Sequence, residues 1–409
     1  MKHLQTEFFA KNRSRVSELT SENYYFVAAH VRVQKSRDIG FPFTQNSDFY
    51  YLTGLSREAN AILAVSPKGA SVLFVTPRSD LTAQWSGQQS FEELKKVSGI
   101  SDIRSTEDFD AYLQDTVSRE TVVYSNYAFD AFIKHHDMYR NPGNRLLQEK
   151  LRNYTDNVRD LRKVLTAMRM VKQAPELAAL QEANAITKKS ITSIKNTAFK
   201  FTHERQLQYA LESKFYELGA DGIAFDSIVA GGVNSCTIHY EDNASSLQDA
   251  SLVLLDVGAT VDGYCSDVSR VIPYGEGLTE RQQEVLDAAL DVQKYAKSLL
   301  GPGVLWAEYE RDVAFYMRQK LSELGLMKLE DDMQRVRDFF PHATSHHLGL
   351  DTHDVFDREA PFAADMVLTI EPSIIIPKEG FGVRVEDDVV ITDSGCMDIS
   401  KWSDVKDGS

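Results

Sequence analysis

The chain has 409 residues, 43% of them apolar and 26% charged, which is typical of a folded globular protein and argues against disorder. Its formal net charge of −15, with no long run of Lys or Arg to offset it, argues against a nucleic-acid partner. No apolar run is long enough to span a bilayer, and the N-terminal residues lack the apolar core of a signal peptide. Three widely spaced cysteines suit reduced thiols. We therefore expect a cytoplasmic protein with no membrane partner.

The first part of the chain alternates short strands with helical stretches. Residues 59–77 predict two strands joined at Pro67-Lys68-Gly69, and residues 122–126 predict a further strand. The sequence becomes charged and helical around 150–172. Because the chain is too long for a single core, we place a domain boundary there and predict domains 1–165 and 166–409.

The second part carries longer elements. Residues 174–196 have helical periodicity, and residues 279–303 predict a helix that opens with a capping box of Thr279 and Gln282. Strands are predicted at 223–229, 251–258, 264–272, 366–376 and 382–392. Helices mixed with antiparallel strand pairs predict an α+β fold.

Two predicted hairpins place acidic residues face to face. Asp262-Gly263 is a strong hairpin turn signal, so Asp256 should face Ser269. Asp267 is then the diagonal neighbour of Asp256 on the same face, about 7–8 Å away, where both can reach one ion. A second turn at Lys378-Glu379 would place Glu371 directly opposite Glu386.

Carboxylates facing each other on apolar hairpins repel unless a multivalent cation lies between them. Four of the ten histidines lie in residues 339–354 and can complete such a site: His342, His346, His347 and His353. His342 and His346 have the spacing of a zincin, but Ala343 replaces the required Glu.

Four carboxylates and one imidazole are too many for a structural zinc site and suit two divalent ions such as Mn²⁺. Two ions about 3.5–4 Å apart would activate water for hydrolysis. The residues therefore point to a hydrolase.

These residues and their contexts resemble the pita-bread metallopeptidases, specifically the aminopeptidase P (Xaa-Pro aminopeptidase) family. The matching segments are DVGATVDGYCSD, SHHLGLDTHD, TIEP and VRVED. PFTQNSDFYYLTG (42–54) resembles the signature of the smaller α/β N-terminal domain of the creatinase/aminopeptidase P type. The resemblance implies five metal ligands, namely Asp256, Asp267, His346, Glu371 and Glu386. It also implies two divalent ions, Mn²⁺ first, with Zn²⁺ or Co²⁺ as alternatives.

The resemblance assigns further roles. His239, in NSCTIHYEDN, and His353 would contact the substrate carbonyl, and His342 would be a further active-site histidine. Arg384 would lie beside the metals, and Glu371 would also carry a proton. His347, at a position where the family often has an aromatic residue, would be a packing or rim residue and not a ligand. Trp85 resembles a tryptophan that a neighbouring subunit contributes, so we expect a homodimer or homotetramer.

The implied reaction is attack by a metal-bridging hydroxide on the N-terminal Xaa–Pro bond of a proline-containing peptide. Two alternatives remain: a prolidase, which cleaves Xaa-Pro dipeptides, and a non-catalytic pita-bread binding module. The chain departs from the family pattern at Thr44, usually arginine, at Ser373, usually glycine, and at Ile375, usually tyrosine. These departures bear on substrate preference.

Overall fold

The computed structural model describes residues 1–87, 89–126, 139–195 and 197–401. The chain divides into two compact units, His3–Met168 together with Met1, and Arg169–Ser409 together with Lys2. The division lies close to the boundary near 165 that the sequence suggests.

The first unit contains a six-stranded mixed sheet in the order β6-β5-β4-β1-β7-β8. The β4–β5 hairpin confirms the two strands predicted in residues 59–77, and β7 confirms the strand predicted at 122–126. A small separate pair, β2–β3, precedes α2. The strands are β1 (Tyr24–Ala28), β2 (Gln34–Ser36), β3 (Ile39–Gly40), β4 (Ile62–Val65), β5 (Ser71–Val75), β6 (Asp102–Ser105), β7 (Val123–Ser125) and β8 (Val158–Asp160).

An aromatic core packs against this sheet. Phe74 and Phe109 meet edge to face with ring centroids 4.9 Å apart, which joins β5 to the helix that follows β6. The helices of this unit are α1 (Thr6–Leu19), α2 (Ser47–Thr53), α3 (Asp80–Ser86), α4 (Phe91–Ser98), α5 (Phe109–Thr116) and α6 (Gly143–Leu151), and α7 (Arg162–Met170) includes the division between the units.

The second unit is built from short antiparallel strands and four long helices. The helices are α8 (Ala174–Lys195), α9 (Glu204–Glu217), α10 (Glu280–Leu299) and α11 (Trp306–Glu323). The capping box predicted at Thr279 and Gln282 is present at the start of α10. The strands are β9 (Gly222–Ile223), β10 (Ile228–Gly231), β11 (Leu252–Val257), β12 (Ala259–Val261), β13 (Tyr264–Cys265), β14 (Val268–Pro273), β15 (Val367–Ile370), β16 (Ser373–Ile376), β17 (Phe381–Arg384), β18 (Asp387–Thr392) and β19 (Gly395–Asp398).

Several strands predicted as continuous are divided, which corrects the sequence-based prediction. Residues 223–229 contribute to two sheets, because β9 pairs with β12 whereas β10 pairs with β11. The first acidic hairpin changes sheet at Gly258, where a Cβ atom would lie 1.9 Å from the carbonyl oxygen of Ser266. The turn itself is as predicted, since Asp262 and Gly263 both have positive φ, 49° and 79°.

Alternation along the strands separates a helix-facing side from a polar side. Val253, Leu255 and Val257 of β11 pack in a core with α8 and α9, so Asp256 lies on the opposite face. Leu368 and Ile370 of β15 likewise pack with α10 and α11. By the same alternation, the side chains of Thr369, Glu371, Arg384 and Glu386 lie on the face away from the helices. The acidic residues of both hairpins are therefore on the polar side.

Across the described ranges, no helix combines the length and apolar character needed to cross a bilayer.

Candidate metal centre

The first acidic hairpin has the register that the sequence predicts. β11 pairs with β14 so that Asp256 lies opposite Ser269. Asp267 immediately precedes β14, and its backbone amide donates a 3.0 Å hydrogen bond to Oδ2 of Asp388. Both Asp256 and Asp267 are buried, so neither is a solvated surface acid.

The second acidic pair lies between two short ladders. β15 pairs with β18 and β16 with β17, in registers that place Ile370 opposite Asp387 and Ser373 opposite Arg384. Glu371 and Glu386 therefore face each other across the gap, as predicted. The ladder is interrupted there because Pro372 has no amide hydrogen.

Backbone hydrogen bonds at this gap join the acidic hairpins and the histidine segment. The amide of Glu386 donates to the carbonyl of Ser269 at 3.1 Å, and the amide of Glu371 donates to the carbonyl of Thr344 at 2.8 Å. The first contact joins the two hairpins, and the second joins them to the segment that carries His346. The gap in the ladder is thus where the site assembles.

His346 completes the cluster. Its Nε2 atom lies 3.4 Å from Asp267, 3.6 Å from Glu371 and 4.0 Å from Glu386. Its Nδ1 atom bonds the carbonyl of His347 at 3.0 Å. Since a carbonyl only accepts, Nδ1 carries the hydrogen and the Nε2 lone pair faces the carboxylates, which is the tautomer a metal ligand needs.

The electrostatics show that the negative charge of this cluster lacks sufficient protein counter-charge. Burial, and then the neighbouring carboxylates, raise the pKa of Asp267 and Glu386 well above their usual ranges. Burial also raises the pKa of Glu371, to about 8, although Arg384 opposes the shift. Burial lowers the pKa of His346 to about 3, so the imidazole is neutral. A bound cation would relieve this charge.

The donors fit one or more divalent cations. Ligand atoms of Asp267, His346 and Glu386 all lie within 4.8 Å of one another. Asp256 Oδ1 is buried and has no hydrogen-bond partner in the described chain. Buried acceptors are rarely left without a partner. Carboxylate oxygens with a neutral imidazole suit Mn²⁺-like or Zn²⁺-like ions.

Arg384 brings a positive charge into direct contact with the cluster. Arg384 donates through Nη2 to Asp256 Oδ2 and through Nε to Ser269 Oγ at 2.8 Å. The Ser269 hydroxyl in turn donates to Glu386 Oε2 at 2.7 Å. Arg384 is therefore beside the acids, as the resemblance implies, and Ser269 connects it to Glu386.

The remaining predicted histidines surround this centre. His353 packs edge to face on His346, with ring centroids 4.5 Å apart, and the His239 ring is 6.4 Å from His353. Both are exposed, so they lie on the solvent side of the cluster. His342 places Nδ1 3.5 Å from Glu371, and burial lowers its pKa to about 3.

Two other sequence assignments concern packing. His347 is buried and its ring stacks against both Trp306 and Phe356, as expected of a packing residue. Trp85 is 82% exposed on α3, so it does not belong to a core.

Sequence reasoning missed the residues that support the cluster. Ser269 had a detectable signal, because the hairpin register already placed it opposite Asp256. Asp388 alternates with Arg384 and Glu386 along the chain, so its side of the strand could be predicted. Its contact with Asp267 could not, because that contact joins two hairpins that are far apart in the sequence. Asp354, whose carboxylate lies outside the cluster, gave no signal: it is buried against Arg169 and Lys172, which lie more than 180 residues earlier.

Comparison with known proteins identifies the family of this chain. Residues 178–393 match the model of metallopeptidase family M24, and residues 9–124 match the N-terminal domain of aminopeptidase P. The chain is 30% identical to the Xaa-Pro aminopeptidase of Haemophilus influenzae, over 97% of this chain and 94% of the relative. Identity to the Xaa-Pro aminopeptidase of Escherichia coli is also 30%, over 95% and 93%.

Solved structures extend the likeness to the whole fold. Aminopeptidase P from E. coli with the inhibitor Pro-Leu superposes with a TM-score of 0.86 at 28% identity, covering 97% of this chain and 95% of that chain. This confirms the predicted α+β fold with a pita-bread domain after a smaller N-terminal domain. The chain belongs to metallopeptidase family M24, within its aminopeptidase P group.

Proposed function

We propose that this protein is a metal-dependent aminopeptidase that hydrolyses the N-terminal Xaa–Pro bond of peptides. The observation that carries the proposal is the convergence of Asp256, Asp267, His346, Glu371 and Glu386 on one buried site, within a chain of this family. The relatives named above are Xaa-Pro aminopeptidases over nearly the same length. Members that bind without catalysis would not need this complete donor set.

The five donors would hold two divalent ions, Mn²⁺ first among them. When bound, these ions supply a water of lowered pKa as the nucleophile and polarise the scissile carbonyl. Carboxylates on facing hairpins and one neutral imidazole provide the oxygen and nitrogen donors for both ions. A zinc-substituted form of the E. coli enzyme has been solved in complex with product, so related proteins also accept Zn²⁺.

Glu371 would accept a proton at a carboxylate oxygen and deliver it to the departing proline nitrogen. His342 Nδ1 donates to the carbonyl of Ala343 at 2.8 Å and lies 3.5 Å from Glu371, so its ring would pack beside this carboxylate. His239 and His353, on the solvent side, would donate hydrogen bonds to the carbonyl oxygen as negative charge develops on it. Arg384 holds Asp256 in place through its bond to Oδ2.

Proline explains why such a site is specialised. The Xaa–Pro amide has no hydrogen and its φ is fixed, so an aminopeptidase that relies on that N–H cannot hold the bond. The groups assigned above interact with the scissile carbonyl and not with an amide hydrogen, which suits a bond that has no amide donor.

The first test is cleavage of three peptides by the Mn²⁺-loaded full chain: Ala-Pro-Ala, Ala-Pro and Ala-Ala-Ala. We expect alanine release from Ala-Pro-Ala and little from Ala-Ala-Ala. Cleavage of Ala-Pro alone would identify a prolidase instead. Glu371→Gln should abolish the activity, whereas Glu379→Gln, an exposed glutamate on the neighbouring turn, should leave it unchanged.

Metal content and assembly require separate measurements. We propose two ions per chain, a cytoplasmic location, and a homodimer or homotetramer in which residues 1–165 serve assembly and Trp85 reaches a neighbouring active site. Elemental analysis after Mn²⁺ loading should give two equivalents. Light scattering should give the mass of two or four chains, and a monomeric mass would remove the assembly proposal.

A further inference from the structure

A cleft in the first unit takes no part in the proposed peptidase chemistry. It has a volume of about 300 Å³ and lies between α1, the β4–β5 hairpin and the segment that follows α4. Its lining contains one cation and no carboxylate: Ala10, Arg13, Ser14, Ser17, Gly69, Ser71, Gly99, Ile100 and Ser101. The metal centre, in contrast, consists wholly of residues of the second unit.

Arg13 is the charged group of this cleft, and its side chain is only partly used by the fold. The residue is 6% exposed, and Nη1 donates a 2.7 Å hydrogen bond to the carbonyl of Leu52, in the last turn of α2. Nε and Nη2 have no acceptor among the residues that the structure describes. Neither atom is sealed off from solvent, because neither is among the enclosed atoms that lack a partner.

The free side of this guanidinium faces the cleft. A Cβ atom built on Gly99, one of the lining residues, would lie 3.8 Å from Arg13 Nη2. The hydrogen bond to the carbonyl of Leu52 in α2 uses only the Nη1 atom of Arg13. The other two donor atoms are therefore available to a ligand in the cleft.

The charge of Arg13 is also uncompensated. Within the described parts of the chain, Arg13 forms no ion pair with an Asp or Glu, and burial lowers its pKa. Burial raises the pKa of Tyr25, so its hydroxyl stays neutral, and it donates a hydrogen bond to the backbone carbonyl of Arg13. A nearly buried cation without a counter-ion is costly, and an anion in the cleft would offset that cost.

Serine hydroxyls supply further donors around the guanidinium. Ser17 donates to the carbonyl of Arg13, but the hydroxyls of Ser14, Ser71 and Ser101 make no hydrogen bond in the described chain. A guanidinium fork surrounded by hydroxyls, with no competing carboxylate, matches the oxygens of a tetrahedral oxyanion.

We propose that this cleft binds a small phosphate-class oxyanion, either inorganic phosphate or the phosphoryl group of a monoester. The site is independent of the peptidase reaction. Its ligand is held by Nε and Nη2 of Arg13 with the hydroxyls of Ser14 and Ser101.

The test is calorimetric titration of inorganic phosphate, and separately of phosphoserine, into the Mn²⁺-loaded full chain. The key variant is Ser14→Glu, because Ser14 is exposed and the substitution leaves the Arg13–Leu52 bond in place. Adding a carboxylate beside the anion should weaken binding by about tenfold or more. Gln114→Glu adds the same charge at an exposed position of the same unit that does not line the cleft, and it should change affinity by less than about twofold.

Phosphate bound at the metals contributes equally to wild type, Ser14→Glu and Gln114→Glu, so the comparison isolates the cleft. Tighter binding of phosphoserine would identify a monoester as the ligand, and tighter binding of inorganic phosphate would identify the free ion. Equal affinity of wild type and Ser14→Glu would overturn the proposal. Ser101→Glu, also at an exposed position, repeats the test if Ser14→Glu does not fold.

Discussion

Substituting Asp354 by alanine should strongly destabilise the second unit. The Asp354 side chain is 1% exposed and lies against Arg169 and, at 3.0 Å, Lys172, which are 3% and 1% exposed. Removing the carboxylate leaves two buried cations without their shared partner. Loss of one member of a buried ion pair costs about 3–5 kcal/mol of unfolding free energy. That corresponds to a fall in Tm of at least about 6 °C for a unit of this size.

Asp351→Ala is the matched control, because Asp351 binds the same Arg169 Nη2 at 2.7 Å but is 46% exposed. An exposed ion pair contributes about 1 kcal/mol or less, so this variant should lose little stability. Chemical denaturation followed by fluorescence would compare the two variants. If Asp354→Ala and Asp351→Ala lost similar free energy, within about 1 kcal/mol, the argument from burial would be refuted.

The stability lost in Asp354→Ala should depend on pH. Burial opposes ionisation of Asp354, yet Arg169 and Lys172 outweigh it and lower its pKa below the ordinary value. A carboxyl with a lower pKa in the folded state contributes stability above its unfolded pKa of about 4 and loses it as pH falls further. The free-energy gap between wild type and Asp354→Ala should therefore narrow below about pH 4. A gap that stayed constant between pH 7 and pH 3 would contradict this assignment.

Three further results are expected at the metal centre. Ser269→Ala removes the hydroxyl between Arg384 and Glu386 and should weaken metal binding by about 10–100-fold, measured by competition with a chromophoric chelator; unchanged affinity would argue against its supporting role. Ser373→Ala removes the hydroxyl that binds His342 Nε2 at 2.6 Å and should change kcat/KM by about 5–10-fold at unchanged metal content; an unaltered kcat/KM would show that this bond is dispensable. EDTA should lower the Tm, and added Mn²⁺ should restore it, because only the folded cluster gathers the donors; a Tm unaffected by EDTA would contradict a resident metal.

The sequence determined the local geometry of the centre. Strand alternation and two turns were sufficient to pair Asp256 with Ser269 and Glu371 with Glu386, because side chains alternate with a period of two and a turn defines the register. The capping box of α10 could also be predicted from the sequence, because its two residues lie within one helical turn of each other.

Tertiary structure alone decided how these pieces meet. The hairpins and the His346 segment are joined by the Glu386–Ser269 and Glu371–Thr344 backbone bonds, which lie where strands predicted as continuous are interrupted. Asp354 and Lys172 are 182 residues apart, and nothing in their local sequence marks them as a buried pair. Burial depends on the whole packed unit, and it is burial that converts ordinary carboxylates into groups that require a cation.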